Sequence, residues 1–105
     1  MLLLDDDDEL PAVPDQGETQ LAAQLGPDGL RSVDATLRRQ AKRSWLKVSG
    51  VVSDAMSAGG FPLSDDSRIA LHVRRVIRLV DSGELEARGN LRRPRSSEVR
   101  LPEDG

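Results

Sequence analysis

Gly83 divides this chain into two hydrophobic rhythms: before it apolar residues recur every three or four positions, and after it every second position. A chain of 105 residues is too short for two separate interiors, because each would bury too little surface to be stable. Helices and strands must therefore share one core. The expected class is α+β: a small, mainly helical domain closed by a C-terminal β-hairpin.

The elements can be placed from local chemistry. Asp34, with Ser32 beside it, predicts the N-cap of a long helix running toward Gly59-Gly60. On a helical wheel Leu37, Ala41, Trp45, Val48, Val52 and Ala55 fall within about 80° of one another, so they form its buried stripe, with Trp45 as the large core anchor. Phe61-Pro62-Leu63 cannot continue that helix. Ser64-Asp65-Asp66 supplies a cap and first-turn acids for a second helix reaching about Ser82, with Ile69, Val73, Val76, Ile77 and Val80 on its inner face and Gly83 at the left-handed position beyond its end. The alternations Leu85/Ala87 and Val99/Leu101 predict the two strands of the hairpin, its loop opening at Gly89-Asn90.

Charge sets the outer limits of the folded unit. Residues 1–30 contain Asp5, Asp6, Asp7, Asp8, Glu9, Asp15, Glu18 and Asp28 with no Lys or Arg, a balance of −8 that leaves +5 for the rest of a chain whose net charge is −3. With three prolines and three glycines between Leu10 and Gly29, this stretch reads as an acidic, largely disordered tail or linker with at most one short helix, in Glu18–Leu25. It is either solvated or folded back over the basic part as a weak electrostatic competitor. Residues 31–102 read as the domain, and 103–105 as a disordered end.

A helix passing through glycine into a basic-tipped hairpin is the pattern of a winged-helix-like module, in which the helix enters a groove and the hairpin is the wing. Completing that trihelical core requires a third helix from Glu18–Leu25 or Asp28–Ser32. The segments Val33-Asp34, Leu37, Trp45-Leu46-Lys47-Val48 and Val51-Val52 carry a further resemblance. So do Gly83-Glu84-Leu85-Glu86-Ala87-Arg88-Gly89-Asn90-Leu91 and Arg95-Ser96-Ser97-Glu98-Val99-Arg100-Leu101-Pro102. Over about Ser32–Pro102 the chain resembles a bacterial family known only as a domain of unknown function, found alone or as the C-terminal half of longer proteins. The resemblance implies a bacterial origin and a shared fold, and brings no catalytic residue. Arg93-Pro94 stands where relatives often carry a bulky side chain.

Several function classes are disfavoured by what the chain contains. There is no cysteine, hence no disulfide framework or thiolate chemistry. The single histidine, His72, lies at the edge of an apolar stripe and reads as structural, and Asp65 and Asp66 read as helix-start acids and not metal ligands. Gly59-Gly60 leads into Phe61-Pro62 and cannot cradle a phosphate. We therefore expect no enzyme, no cofactor, no metal and no small-molecule substrate. Met1–Leu4 followed by acids lacks the basic start of a secretory signal, and no apolar run approaches the ~20 residues of a membrane span, so a cytoplasmic, non-membrane protein is expected.

Basic residues form the remaining constellation. Arg74, Arg75 and Arg78 fall on the outer face of the second helix and Arg92, Arg93 and Arg95 in the hairpin loop, a candidate nucleic-acid-binding set. Arg38, Arg39, Lys42, Arg43 and Lys47 flank the stripe of the first helix. Leu46, Gly50 and Leu71 interrupt the polar faces and form the alternative, a protein interface or homodimer contact. A binding module with an anionic partner is thus one expected function, and a dimerisation domain the other.

Overall fold

The computed structural model describes residues 8–103. Among them are three helices and three short strands: α1 (Gln16–Gln40), β1 (Leu46–Lys47), α2 (Val48–Ala58), α3 (Asp66–Asp81), β2 (Glu86–Arg88) and β3 (Glu98–Arg100). The class is mixed α+β. The strands make one antiparallel sheet in the order β1-β3-β2, with Val99 between Leu46 and Ala87 in register. No helix among the described residues is long and apolar enough to cross a membrane.

Helix α3 follows its sequence signals closely. The Asp65 carboxylate accepts the Arg68 N–H at 3.1 Å, Ile69, Val73 and Val76 are buried, and Gly83 has φ of +83° just past the Ser82 C-cap. The strand alternation also holds, with Val99 buried between exposed-side Glu98 and Arg100.

The predicted helix from Asp34 to Gly59 is instead two helices. The chain leaves the helical region at Ala41 (φ −75°, ψ 151°), and Leu46–Lys47 pairs with β3 before α2 begins. The Leu101 N–H donates to the Lys42 carbonyl at 2.7 Å, which holds the break against the C-terminal strand. Leu37, Ala41, Val48, Val52 and Ala55 are buried as expected, because a short extended insert happened to restore the wheel position on the far side. Trp45 is the exception. It is only half-buried, with the guanidinium carbons of Arg88 and Arg100 each 4.4 Å from its ring centroid, so it is a cation–π platform and not a core anchor.

The N-terminal reading is corrected more deeply. The short helix expected in Glu18–Leu25 begins at Gln16 and runs on, through a kink at Gly26, into a helix ending at Gln40: Asp15 caps it by accepting the Glu18 N–H at 2.9 Å, and Pro27 occupies the first turn after the kink, where its missing N–H costs nothing. Gly26 has φ of +65° and ψ of −178°, a conformation that only glycine adopts readily. Before the helix, Leu10 is 0% exposed and belongs to the core. Residues 8–30 are therefore structured against the domain; Asp5, Asp6 and Asp7 lie outside the described residues, as do Asp104 and Gly105.

Helix α2 has no side-chain cap. Its first two N–H groups, of Val48 and Ser49, donate to the carbonyls of Ser97 (3.0 Å) and Pro94 (2.9 Å) in the loop between β2 and β3. Gly89 makes that loop feasible: its φ is +86°, and a Cβ there would lie 3.1 Å from the Ser96 carbonyl oxygen. The loop is consequently folded onto α2, with Pro94 and Ser97 buried.

Candidate functional site

The six arginines expected to meet an anion occupy three different situations. Arg74 and Arg75, adjacent on α3, each make a two-pronged ion pair with α1. Arg74 donates to both Glu18 carboxylate oxygens at 2.5 and 3.0 Å, and Arg75 to both Asp34 oxygens at 2.8 and 2.6 Å. Glu18 lies in the first half of α1 and Asp34 in the second, so neighbouring residues of α3 hold the two sides of the bend. The bond to Asp34 holds the Arg75 guanidinium protonated even more firmly than usual, outweighing its desolvation. Arg75 is thus an internal clamp and not a surface contact, because its fork is filled.

Arg74 and Arg92 come together on one feature. The extended strap from Asp8 to Pro14 passes between α3 and the β2–β3 loop, and both arginines grip its backbone. Arg74 Nη2 donates to the Pro11 carbonyl at 3.1 Å and Arg92 Nε to the Leu10 carbonyl at 2.8 Å. The Leu10 N–H returns a bond to the Arg92 carbonyl at 2.6 Å, and Asn90 Nδ2 donates to Glu9 at 2.9 Å. Arg78, Arg93 and Arg95 are exposed. The helix and the loop therefore do present cations to a common place, where main-chain oxygens of the strap now lie.

Between α1 and α3, which pack on one another, an open cleft of about 710 Å³ remains. Its floor is apolar, formed by Ala22, Leu30, Leu71 and Ile77, while Arg78 and Asp81 stand at the rim. Leu71 was expected on an outer helix face; the first half of α1 covers that face, and Leu71 is 2% exposed. Leu46 packs against the core from β1, and Gly50 is exposed with no atom near the place of a Cβ. The three residues of the expected protein interface therefore do not share a surface.

His72 is buried, its Nδ1 2.7 Å from the Arg68 carbonyl, and burial is the main cause of a pKa below the ordinary 6.5. Its place is structural. Arg68 lies over the Phe61 ring at 3.9 Å, which explains why Phe61 sits at the surface. Among the described residues no three His, Asp or Glu side chains are placed to hold a metal ion.

Sequence reasoning missed Glu18 and read Asp34 as an N-cap, whereas Asp34 lies inside α1 and pairs with Arg75; a signal for both ion pairs was present. Glu18 stands on the same face as Leu21, Ala22 and Leu25, and Asp34 adjoins the Val33/Leu37 stripe. An acid within an apolar helical face calls for a buried cationic partner.

No family model, curated protein or solved structure matches this chain. Function must be argued from the site alone.

Proposed function

We propose that the chain is a non-enzymatic, winged-helix-like binding module whose partner is anionic, nucleic acid being the class with the matching chemistry. The element order supports the fold reading: α1 supplies the third helix the sequence pattern required, α3 is followed by two strands, and β1 closes the sheet beside β3. In this reading α3 is the groove-facing helix and the β2–β3 loop is a wing packed back on α2. The single observation that carries the partner is the convergence of Arg74 and Arg92 on the strap. Two guanidinium groups from the two expected contact elements meet at a row of oxygen acceptors, an arrangement that suits phosphate oxygens equally well. Arg78, Arg93 and Arg95 are exposed cations on the same helix and loop.

Mixed-sequence duplex DNA, titrated at low salt and followed by gel retardation, tests this. Binding with Kd near 10⁻⁴ to 10⁻⁶ M is expected, about the range of non-specific recognition at physiological salt, with affinity falling steeply as salt rises. Replacing Arg93 and Arg95 together by alanine should reduce the salt slope by about 2, one unit for each lost phosphate contact. Absence of retardation at low salt up to ~100 μM protein, the weak end of that range, counts decisively against an anionic duplex partner.

A further inference from the structure

We propose that residues 8–25, the strap and the first half of α1, are a built-in competitor that closes the anion-binding face and must swing aside for a partner to engage it. The inference rests on the anionic-partner reading above and assigns it a form of regulation. Three independent features point to it.

The first is the identity of what the arginines hold. Glu18 offers Arg74 a carboxylate, and the Leu10, Pro11 and Ala12 carbonyls offer further oxygens to Arg92 and Arg74. Every one of these acceptors belongs to the same segment, and each is an oxygen of the kind a phosphate chain would offer. The segment therefore satisfies the site with the chemistry of its ligand.

The second is the manner of packing. The most buried residue in the first half of α1 is Glu18, whereas Leu21, Ala22 and Leu25 are only partly covered, and Glu18, Thr19 and Ala22 border the cleft of about 710 Å³. A segment held by ion pairs beside an unfilled apolar cleft opens at a lower cost than the core does. Its far end is tied by Leu10, fully buried and bonded through its backbone to Arg92, and by Glu9, which accepts from Asn90.

The third is the hinge. Gly26 is the single non-helical residue inside α1, and Pro27 starts the second half afresh, so the first half can rotate without unwinding the second. The Arg75–Asp34 pair lies beyond the hinge and stays intact. Closure reduces the apparent affinity by the fraction of molecules that are open, and weakening the clasp restores it.

The test uses the full chain and a mixed-sequence DNA duplex, with fluorescence anisotropy for binding and hydrogen exchange of the amides in 16–25 for closure. Glu18→Gln keeps the shape and removes the charge that Arg74 holds; Leu10→Ala weakens the tether at the other end. The inference expects each variant to exchange faster in 16–25 while residues 33–40 stay protected, and to bind duplex about tenfold more tightly than the parent. It also expects duplex to accelerate exchange of 16–25 in the parent chain. If parent and variants bind alike although 16–25 opens, the competitor is refuted and the anionic-partner reading stands. If no chain binds although 16–25 opens, the partner reading fails and the inference with it. Unchanged exchange in both variants refutes the clasp itself.

Discussion

The two halves of α1 are covalently continuous and yet are held by opposite means. Beyond Gly26, Val33 and Leu37 are sealed in the core and Ala41 closes the end, with α2 and α3 packed against them. Before Gly26 the deepest side chain is a carboxylate, and the leucines of that half remain partly open. Apolar burial contributes free energy in proportion to area, whereas a buried ion pair contributes orientation but little net stability, since desolvation offsets most of its attraction. The second half is accordingly foundation, and the first a clasp.

That contrast can be broken by measurement. Leu37→Ala removes a fully buried side chain and should cost about 2–5 kcal/mol in chemical or thermal unfolding, while Leu21→Ala in the clasp should cost about 1 kcal/mol or less. Equal costs would show that both halves belong to one cooperative unit. Gly26→Ala forces a side chain into a backbone region reserved for glycine, although the space around it is empty. A loss of about 1–3 kcal/mol is expected, with the change in hydrogen exchange concentrated before residue 26. Uniform loss of protection would again abolish the distinction. The smallest effect sharpens the foundation side: because burial lowers the pKa of His72, the unfolded chain takes up a proton as pH falls below about 6.5 that the folded chain resists. Stability should therefore decline on acidification through that window, and His72→Gln should flatten this part of the pH profile.

Much of the foundation was legible in the sequence, because periodicity, caps and glycines agreed there. Asp65, the Ile69/Val73/Val76 stripe and Gly83 each specify α3 independently, and the alternation around Val99 specifies β3. The break between α1 and α2 was hidden by coincidence: Ala41, Trp45 and Val48 keep helical spacing across a segment in which Trp45 faces outward and Leu46 inward. The clasp was hidden by composition. Its acids, prolines and glycines resemble those of a solvated linker, and its stabilising partners, Arg74 and Arg92, lie more than fifty residues away in the chain. For the candidate site the arginines were legible as a set, but which of them were already engaged was not, since that depends on Glu18, Asp34 and the strap backbone.

The borrowed cap on α2 has a consequence for how the protein can come into being. The start of a central helix lacks acceptors of its own and obtains them from Pro94 and Ser97, nearly fifty positions downstream. During synthesis these two N–H groups find their acceptors only after Pro94 and Ser97 have emerged, so the start of α2 is completed when the β2–β3 loop docks on it. A nascent chain stopped before Pro94 would hold a middle helix frayed at its start, so a change in the β2–β3 loop reaches structure nearly fifty positions upstream.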